Sequence, residues 1–512
     1  MNISMGWYVS LMLCLGRWGE MGRWDILRKN SLTPVVTPLL SPSHQALANQ
    51  LRDAWELAEF PLPFLQLCGG DDAAKLDIVN VLCYGLDYDF GILSTALLPS
   101  SSQELYQLQL RWEREALLNQ RLLFLDCQPL SFADNARATA IHFWIEGLNT
   151  PVILSSLERL NLPHRTVTSF DVLPLSFPEK MSLWSRHLGD NAHFLNGKMT
   201  QLSYQFNLNP SMIEAACTQA LVKDQESLGS FLWTFCRTQA RPRLDDLAQR
   251  LETTAVWSDL VLPEPQYEIL TEIATQLQHQ SKVYHEWGFA NKSDRGLGLC
   301  AMFHGASGTG KTMAAEVLAG QLNLDLYRID LSVIVSKYIG ETEKNLRRIF
   351  DAAAVGGAIL LFDEADALFG KRTEVNDSRD RHANVEVSYL LQRMEAYQGL
   401  AILTTNLKKS LDKAFLRRIR FQVEFPFPNA TNREEIWQRV FPPQTPTQDL
   451  DYKKLSKLQV AGGHIRNIAL NAAFYAAGSE EPVKMKHLHQ AAKREYLKME
   501  KILTADEVKG WV

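Results

Sequence analysis

The stretch Phe303-His304-Gly305-Ala306-Ser307-Gly308-Thr309-Gly310-Lys311-Thr312 constrains the fold of this chain more than any other. It reads Gly-x-x-x-x-Gly-Lys-Thr, the pattern of a phosphate-binding loop. A triphosphate packs several negative charges into a small volume. Gly305, Gly308 and Gly310 permit the backbone dihedrals that turn successive N–H groups inward, and Ala306, Ser307 and Thr309 complete the cradle. Lys311 brings a positive point charge to the β- and γ-phosphates, and the Thr312 hydroxyl is a candidate Mg²⁺ ligand. The apolar run Leu299–Phe303 suits a buried parallel strand. Met313–Leu322 is rich in Ala and Leu, as suits a helix whose N-terminus faces phosphate. A strand, a loop and a helix in this order imply an α/β fold with a parallel sheet flanked by helices.

Further chemistry lies downstream. Ala358-Ile359-Leu360-Leu361-Phe362-Asp363-Glu364 is an apolar run ending in two carboxylates, 52 residues beyond Lys311. Asp363 is placed to hold the Mg²⁺ shell, and Glu364 to accept a proton from an attacking water. Ala401-Ile402-Leu403-Thr404-Thr405-Asn406 predicts another buried strand, with Asn406 placed to position the lytic water or sense the γ-phosphate. Leu416-Arg417-Arg418-Ile419-Arg420-Phe421 concentrates positive charge before a predicted edge strand. Planar guanidinium forks suit the charge of a phosphoryl transition state.

Composition narrows the class. The chain has 512 residues, 46% hydrophobic and 22% charged, enough to bury several cores. A net charge of −5 argues against a dedicated nucleic-acid surface. The seven cysteines are scattered, with no Cys-x-x-Cys pair, so neither a disulfide framework nor a zinc site is expected, and a reducing, cytoplasmic setting fits. Trp7–Leu15 is too short to span a bilayer and has the wrong flanks for a signal peptide, so no membrane partner is expected.

The first half repeats the plan with its chemistry removed. Phe64–Cys68 reads as a strand, followed by Gly69-Gly70-Asp71-Asp72-Ala73-Ala74-Lys75-Leu76. Gly69 and Lys75 keep the loop spacing. Ala74 replaces the glycine before the lysine, Leu76 replaces the metal-binding hydroxyl, and Asp71 and Asp72 put negative charge where phosphate would lie. Leu122–Asp126 is an apolar strand ending in a carboxylate, but Cys127 follows instead of Glu. Lys75 to Asp126 is 51 residues, against 52 in the second half. Asp126 to Trp184 is 58 and Asp363 to Trp437 is 74; the difference of 16 is assigned to the polar stretch Lys371–Asn384. An internal duplication with one degenerate copy is the reading of these spacings.

With these residues in hand, the chain from about Trp257 to Lys501 resembles the AAA+ ATPases of the AAA clade proper. The resemblance rests on Gly305–Thr312, Asp363-Glu364, Thr405-Asn406, the arginine cluster and Ser336-Lys337-Tyr338-Ile339-Gly340-Glu341. It implies that Tyr338, Ile339 and Gly340 line the pore of a ring, where an aromatic side chain can contact almost any peptide. It implies that Arg417 and Arg420 act as arginine fingers toward a neighbouring subunit, with Arg418 the competing candidate because Arg-Ile replaces the family's Pro-Gly. A homohexamer acting on a protein substrate follows, with ATP and Mg²⁺ as ligands. Arg466, in Gly462-Gly463-His464-Ile465-Arg466, is a candidate second sensor of the γ-phosphate, a position where this clade usually lacks arginine. The charged stretch Lys371–Asn384 and Glu386–Glu395 resemble a bacterial subgroup that includes the ATPases of extracellular contractile injection systems, which implies contractile-particle components as partners.

The expected layout is an extension over 1–43, a degenerate AAA-like domain with a helical lid over 44–236, and a helical linker over 237–256. An ATPase α/β domain over 257–441 and a C-terminal helical lid over 442–512 complete it. The expected function is an ATP-hydrolysing motor that remodels or threads protein. The alternatives are a nucleotide-switched assembly scaffold and, less favoured by charge, a nucleic-acid motor.

Overall fold

The structure, a computed structural model, describes residues 40–58, 62–127, 135–195, 197–222, 224, 226–245, 247–292, 297–331, 341–365, 378–406 and 416–511. The candidate pore-loop residues Tyr338, Ile339 and Gly340, most of the extension over 1–43 and the stretch 366–377 lie outside them. The chain divides into two compact units, one of residues 1–183 with 209–214, the other of 184–208 with 215–512.

The first unit opens with α1 (Pro42–Glu56) and β1 (Phe64–Cys68), then α2 (Asp72–Leu86) and β2 (Asp89–Ser94). It continues through α3 (Ser102–Asn119), β3 (Arg121–Asp126), α4 (Asn135–Gly147), β4 (Val152–Ser156) and β5 (Val167–Asp171) to α5 (Phe177–Leu188), within which the division falls. The sheet order is β2-β3-β4-β1-β5, with every pair parallel. β1 and β4 are buried at every position, as expected of central strands covered on both faces. One face packs Leu51, Trp55, Ile78 and Val79 against Leu65, Phe124 and Ile153. The other packs Trp112, Trp144 and Ile145 against Phe64, Leu123 and Leu154.

The second unit contains α6 (Lys198–Gln205), α8 (Leu228–Ala240), α9 (Pro242–Asp245) and β6 (Gln249–Leu251); α7 (Pro210–Ala220) straddles the division at its start. Its sheet is built from α10 (Glu264–Ser281), β7 (Leu299–Gly305), α11 (Lys311–Leu322), β8 (Leu326–Asp330), α12 (Glu341–Gly356), β9 (Ile359–Asp363), α13 (Ser378–Ala396), β10 (Leu400–Thr405) and β11 (Phe421–Phe425). Leu270 and Ile273 of α10 and Ala315 and Leu318 of α11 cover one face of the sheet. Ile349 and Phe350 of α12 and Leu390 and Met394 of α13 cover the other. α14 (Ala430–Arg439), α15 (Tyr452–Leu455), α16 (Gly462–Gly478) and α17 (Met485–Lys498) form a helical cap whose core includes Trp437, Ile465, Ile468 and Leu488.

The second sheet runs β11-β7-β10-β9-β8-β6. Without β6, this is the first sheet's order strand for strand, β7 standing for β1, β8 for β2, β9 for β3, β10 for β4 and β11 for β5. Trp184 on α5 follows β5 as Trp437 on α14 follows β11, and both are buried. The common order is what an internal duplication requires. The length difference, however, is not confined to Lys371–Asn384. Asp126 to Val152 is 26 residues and Asp363 to Leu400 is 37, while the β10–β11 connection is also longer than β4–β5.

Two boundaries also differ from expectation. Trp184–Leu208 and Ala215 onward group with the second unit, not with the degenerate copy. The reason is a dense set of contacts within that unit. Arg241 donates from Nε and Nη2 to Asp325 at 2.8 and 3.0 Å, Tyr327 donates to Asp245, Leu244 enters the α12 core, and the Gln205 amide donates to the Gly357 carbonyl. The segment 237–256 is not a plain helical linker either. β6 lies within it, paired antiparallel to β8, and occupies the hydrogen-bonding edge that β8 would otherwise leave open.

Candidate functional site

The expected site gathers at the C-terminal ends of β7, β9 and β10. β7 lies between β11 and β10, so its loop opens where the chain connections diverge, the usual place for a ligand on an open α/β sheet. Gly305 ends β7 with φ +152°, and a Cβ there would stand 2.2 Å from the Phe425 carbonyl oxygen on β11. Gly308 and Gly310 also have positive φ, at +75° and +102°. No side chain caps α11, whose N-cap is Gly310, so its first turn presents backbone N–H groups, a fit for an anion.

Lys311 Nζ donates to the Gly305 and Ala306 carbonyls at 2.7 and 3.0 Å and to Asn406 Oδ1 at 2.9 Å. The loop lysine and the polar residue after β10 are thus brought together across 95 residues of sequence. Thr309 Oγ1 donates to the Ala306 carbonyl and tightens the loop. Asp363, at the end of β9, accepts from Thr404 Oγ1 and from the Glu364 backbone N–H on Oδ1, while Oδ2 pairs with Arg328 Nη2 at 2.8 Å. Glu364 is exposed and sits in the left-handed region at φ +54°, a conformation that costs a non-glycine residue about 1–3 kcal/mol.

The donor set fits Mg²⁺. Thr312, in the first turn of α11, and Asp363 offer hard oxygens, and Mg²⁺ takes few protein ligands beside substrate phosphates and water.

The arginine cluster is split in its surroundings. Arg418 pairs with Glu395 at 3.7 Å, and Arg420 donates to the Tyr284 hydroxyl at 3.2 Å and lies over the Phe421 ring. Arg417 is exposed. Arg466 is exposed on α16 beside Glu316 of α11. Burial raises the Glu316 carboxyl above its usual range, and the Arg466 charge opposes that rise.

Two contributions were missed in the sequence. The Gly463 N–H donates to the Gly308 carbonyl at 2.9 Å, so the helical cap is tied to the phosphate loop by backbone. The adjacent glycines 462 and 463 were the available signal: a Cβ at Gly463 would lie 3.1 Å from Gly308 Cα. Arg328 is the other, and its signal was a single arginine inside the strand Leu326–Asp330.

The counterpart loop in the first unit has the same frame and different contents. Gly69 has φ +139°, and its Cβ would meet the Val172 carbonyl just after β5 at 2.6 Å, as Gly305 meets Phe425 at the end of β11. But Asp71 caps α2 by accepting from the Ala74 N–H, so a resident carboxylate takes the place offered to phosphate in the other loop. Lys75 is fully buried and donates to Ser155 Oγ at 3.1 Å and the Ser156 carbonyl at 3.0 Å, with Asp72 at 3.4 Å. Burial lowers its pKa, an effect Asp72 opposes.

Comparison with known proteins agrees with this geometry. Residues 301–429 match the family model of the ATPase family associated with various cellular activities (AAA). Residues 176–242 match the contractile injection system ATPase helical domain, the segment that runs from α5 through α8. The chain is similar to the 26S proteasome regulatory subunit 10B of Dictyostelium discoideum, 30% identical over 210 residues, 39% of this chain and 53% of that protein. It is 33% identical to the 26S proteasome subunit RPT4 of Saccharomyces cerevisiae, over 34% of this chain and 42% of that protein. It is 32% identical to the proteasome-activating nucleotidase 1 of Haloferax volcanii, over 34% of this chain and 45% of that protein. The chain spans about half the length of the curated relatives it matches. Among the described residues no helix is long and apolar enough to cross a membrane. Strand order, phosphate loop and the two family matches together place an AAA domain in residues 301–429 and make the chain similar to the contractile injection system ATPases.

Proposed function

We propose that the chain hydrolyses ATP in the second unit and uses the energy to remodel a protein client, as a cytoplasmic homo-oligomeric ring, in the assembly of a contractile particle. The observation that carries the reading is the convergence of Lys311, Asn406, Asp363 and Glu364 at adjacent strand ends. Gly305–Thr312 hold the phosphates, and Lys311 stabilises charge on the β- and γ-oxygens. Glu364 takes a proton from water as the water oxygen attacks the γ-phosphorus. The bond from that phosphorus to the β,γ-bridging oxygen breaks, and ADP leaves with the electron pair. Asn406 orients the water or the γ-phosphate. Mg²⁺, held through Thr312 and Asp363, would neutralise phosphate charge when bound. Arg417 and Arg420, with Arg418 as the alternative, supply positive charge to the site of an adjacent subunit, and Arg466 contributes from the cap. The contractile-particle setting is supported by the match at 176–242, and a protein client by the proteasome-associated names of the relatives.

Lys311→Ala is expected to remove ATPase activity from the whole chain, because the first unit has Leu76 for the metal hydroxyl, Cys127 for the base and Lys75 buried away from its loop. Phosphate release would check this, and robust turnover in that variant would assign hydrolysis to the first unit. Tyr338→Ala is expected to abolish client processing and leave basal hydrolysis intact. Full processing by that variant would favour the nucleotide-switched scaffold instead.

A further inference from the structure

We infer that Arg328 is the resident counter-cation of Asp363, and that it sets how strongly Mg²⁺ tightens ATP binding; the inference rests on the assignment of the ATP site above. β8 runs parallel to β9 in a register that sets Asp330 beside Asp363 and Arg328 beside Leu361. From there the arginine reaches the end of β9, with Nη2 2.8 Å from Asp363 Oδ2. The Asp363 side chain is 18% exposed, so this pair is screened less than a surface pair. The other carboxylate oxygen is engaged by Thr404 Oγ1 and the Glu364 N–H. Both oxygens of Asp363 are therefore occupied by groups of this chain.

The grip is incomplete on the arginine side. Arg328 Nε is buried and has no hydrogen-bond acceptor, so the Nε side of the guanidinium fork does not hold the carboxylate. A pair that engaged that side as well would be harder to displace. The electrostatic consequence follows from Coulomb's law. A carboxylate already neutralised by one cation attracts a second less strongly, and the two cations repel. Arg328 thus keeps Asp363 from standing as a bare charge when no nucleotide is bound, and it opposes the arrival of the metal. Without Arg328, Asp363 would repel metal-free ATP and welcome Mg²⁺.

The quantity to measure is a ratio of affinities, not turnover. Binding of fluorescent ATP to the full chain is titrated with Mg²⁺ present and with EDTA. In Arg328→Gln the gain in affinity brought by Mg²⁺ should rise on the order of tenfold over the parent. Arg328→Lys, which keeps the charge, should stay near the parent ratio. In an Asp363→Asn background the Arg328→Gln substitution should no longer change the ratio, since the two side chains then have nothing to exchange. If Arg328→Gln does not fold, Arg328→Met carries the same expectation. An unchanged or smaller gain in the charge-removing variant overturns the inference, as does the same rise in the Asp363→Asn background. If instead the parent chain binds no ATP, and Lys311→Ala looks like the parent, the ATP-site assignment itself fails.

Discussion

Glu364→Gln is expected to retain ATP and lose hydrolysis by roughly 10²–10⁴-fold, the range for removal of a general base. The substitution is nearly isosteric, and the contacts it must preserve do not involve the carboxylate. Glu364 donates its backbone N–H to Asp363, and its side chain is exposed at the end of β9. The left-handed backbone at φ +54° is set by the turn after the strand, so Gln inherits the same position. What Gln cannot do is accept the water proton. Single-turnover hydrolysis together with retention of labelled ATP through gel filtration reads both halves of the expectation. Undiminished turnover would remove Glu364 from the mechanism, and loss of ATP binding would show that the carboxylate supports the loop.

The largest stability effect should come from Trp437→Ala. Trp437 is wholly buried in the helical cap among Leu455, Ile465, Ile468 and Ala492. Truncating a buried tryptophan costs about 3–5 kcal/mol, the lost transfer energy plus the cavity left behind. The Nε1 atom is buried without a hydrogen-bond partner, so Trp437→Phe gives up area but no hydrogen bond and should cost far less. Because the cap is tied to the phosphate loop through Gly463 and Gly308, ATP affinity should fall along with stability. Urea unfolding followed in parallel with nucleotide binding tests this. A loss below about 1 kcal/mol, ordinary for a single substitution, would mean that the cap repacks around the gap.

Much of the second unit could be read from its residues. The Gly305–Thr312 loop, the Asp363-Glu364 pair and Asn406 each lie at the end of a largely apolar run, and such runs are what doubly covered strands require. The spacing from Lys75 to Asp126 points to a second α/β unit, and the structure adds that its sheet has the same strand order. The expected layout places the helical segment after Trp184 in the first copy, over 44–236, as its lid. Its attachment to the second unit depends on long-range pairs such as Arg241 with Asp325, which leave no local pattern. β6 escaped because three residues with one partially buried position carry no periodicity. The Arg328–Asp363 pair escaped for a similar reason: the register of two strands brings the residues together, and register is not a property of either strand alone.

The burial of Lys75 bears on what it would take to rebuild the first loop. In the second unit, the loop lysine bonds to carbonyls of its own loop and to Asn406, contacts a phosphate can replace. In the other copy, the matching lysine braces α2 against the end of β4 through Ser155 and Ser156. Restoring Gly at Ala74 and Thr at Leu76 would rebuild the written motif but not the reach of Lys75, which now has a structural task to leave. Asp71 would also have to release the Ala74 N–H. Each reversion alone would meet a frame already committed to its present contents, so restoring the written motif would not by itself restore an open phosphate pocket.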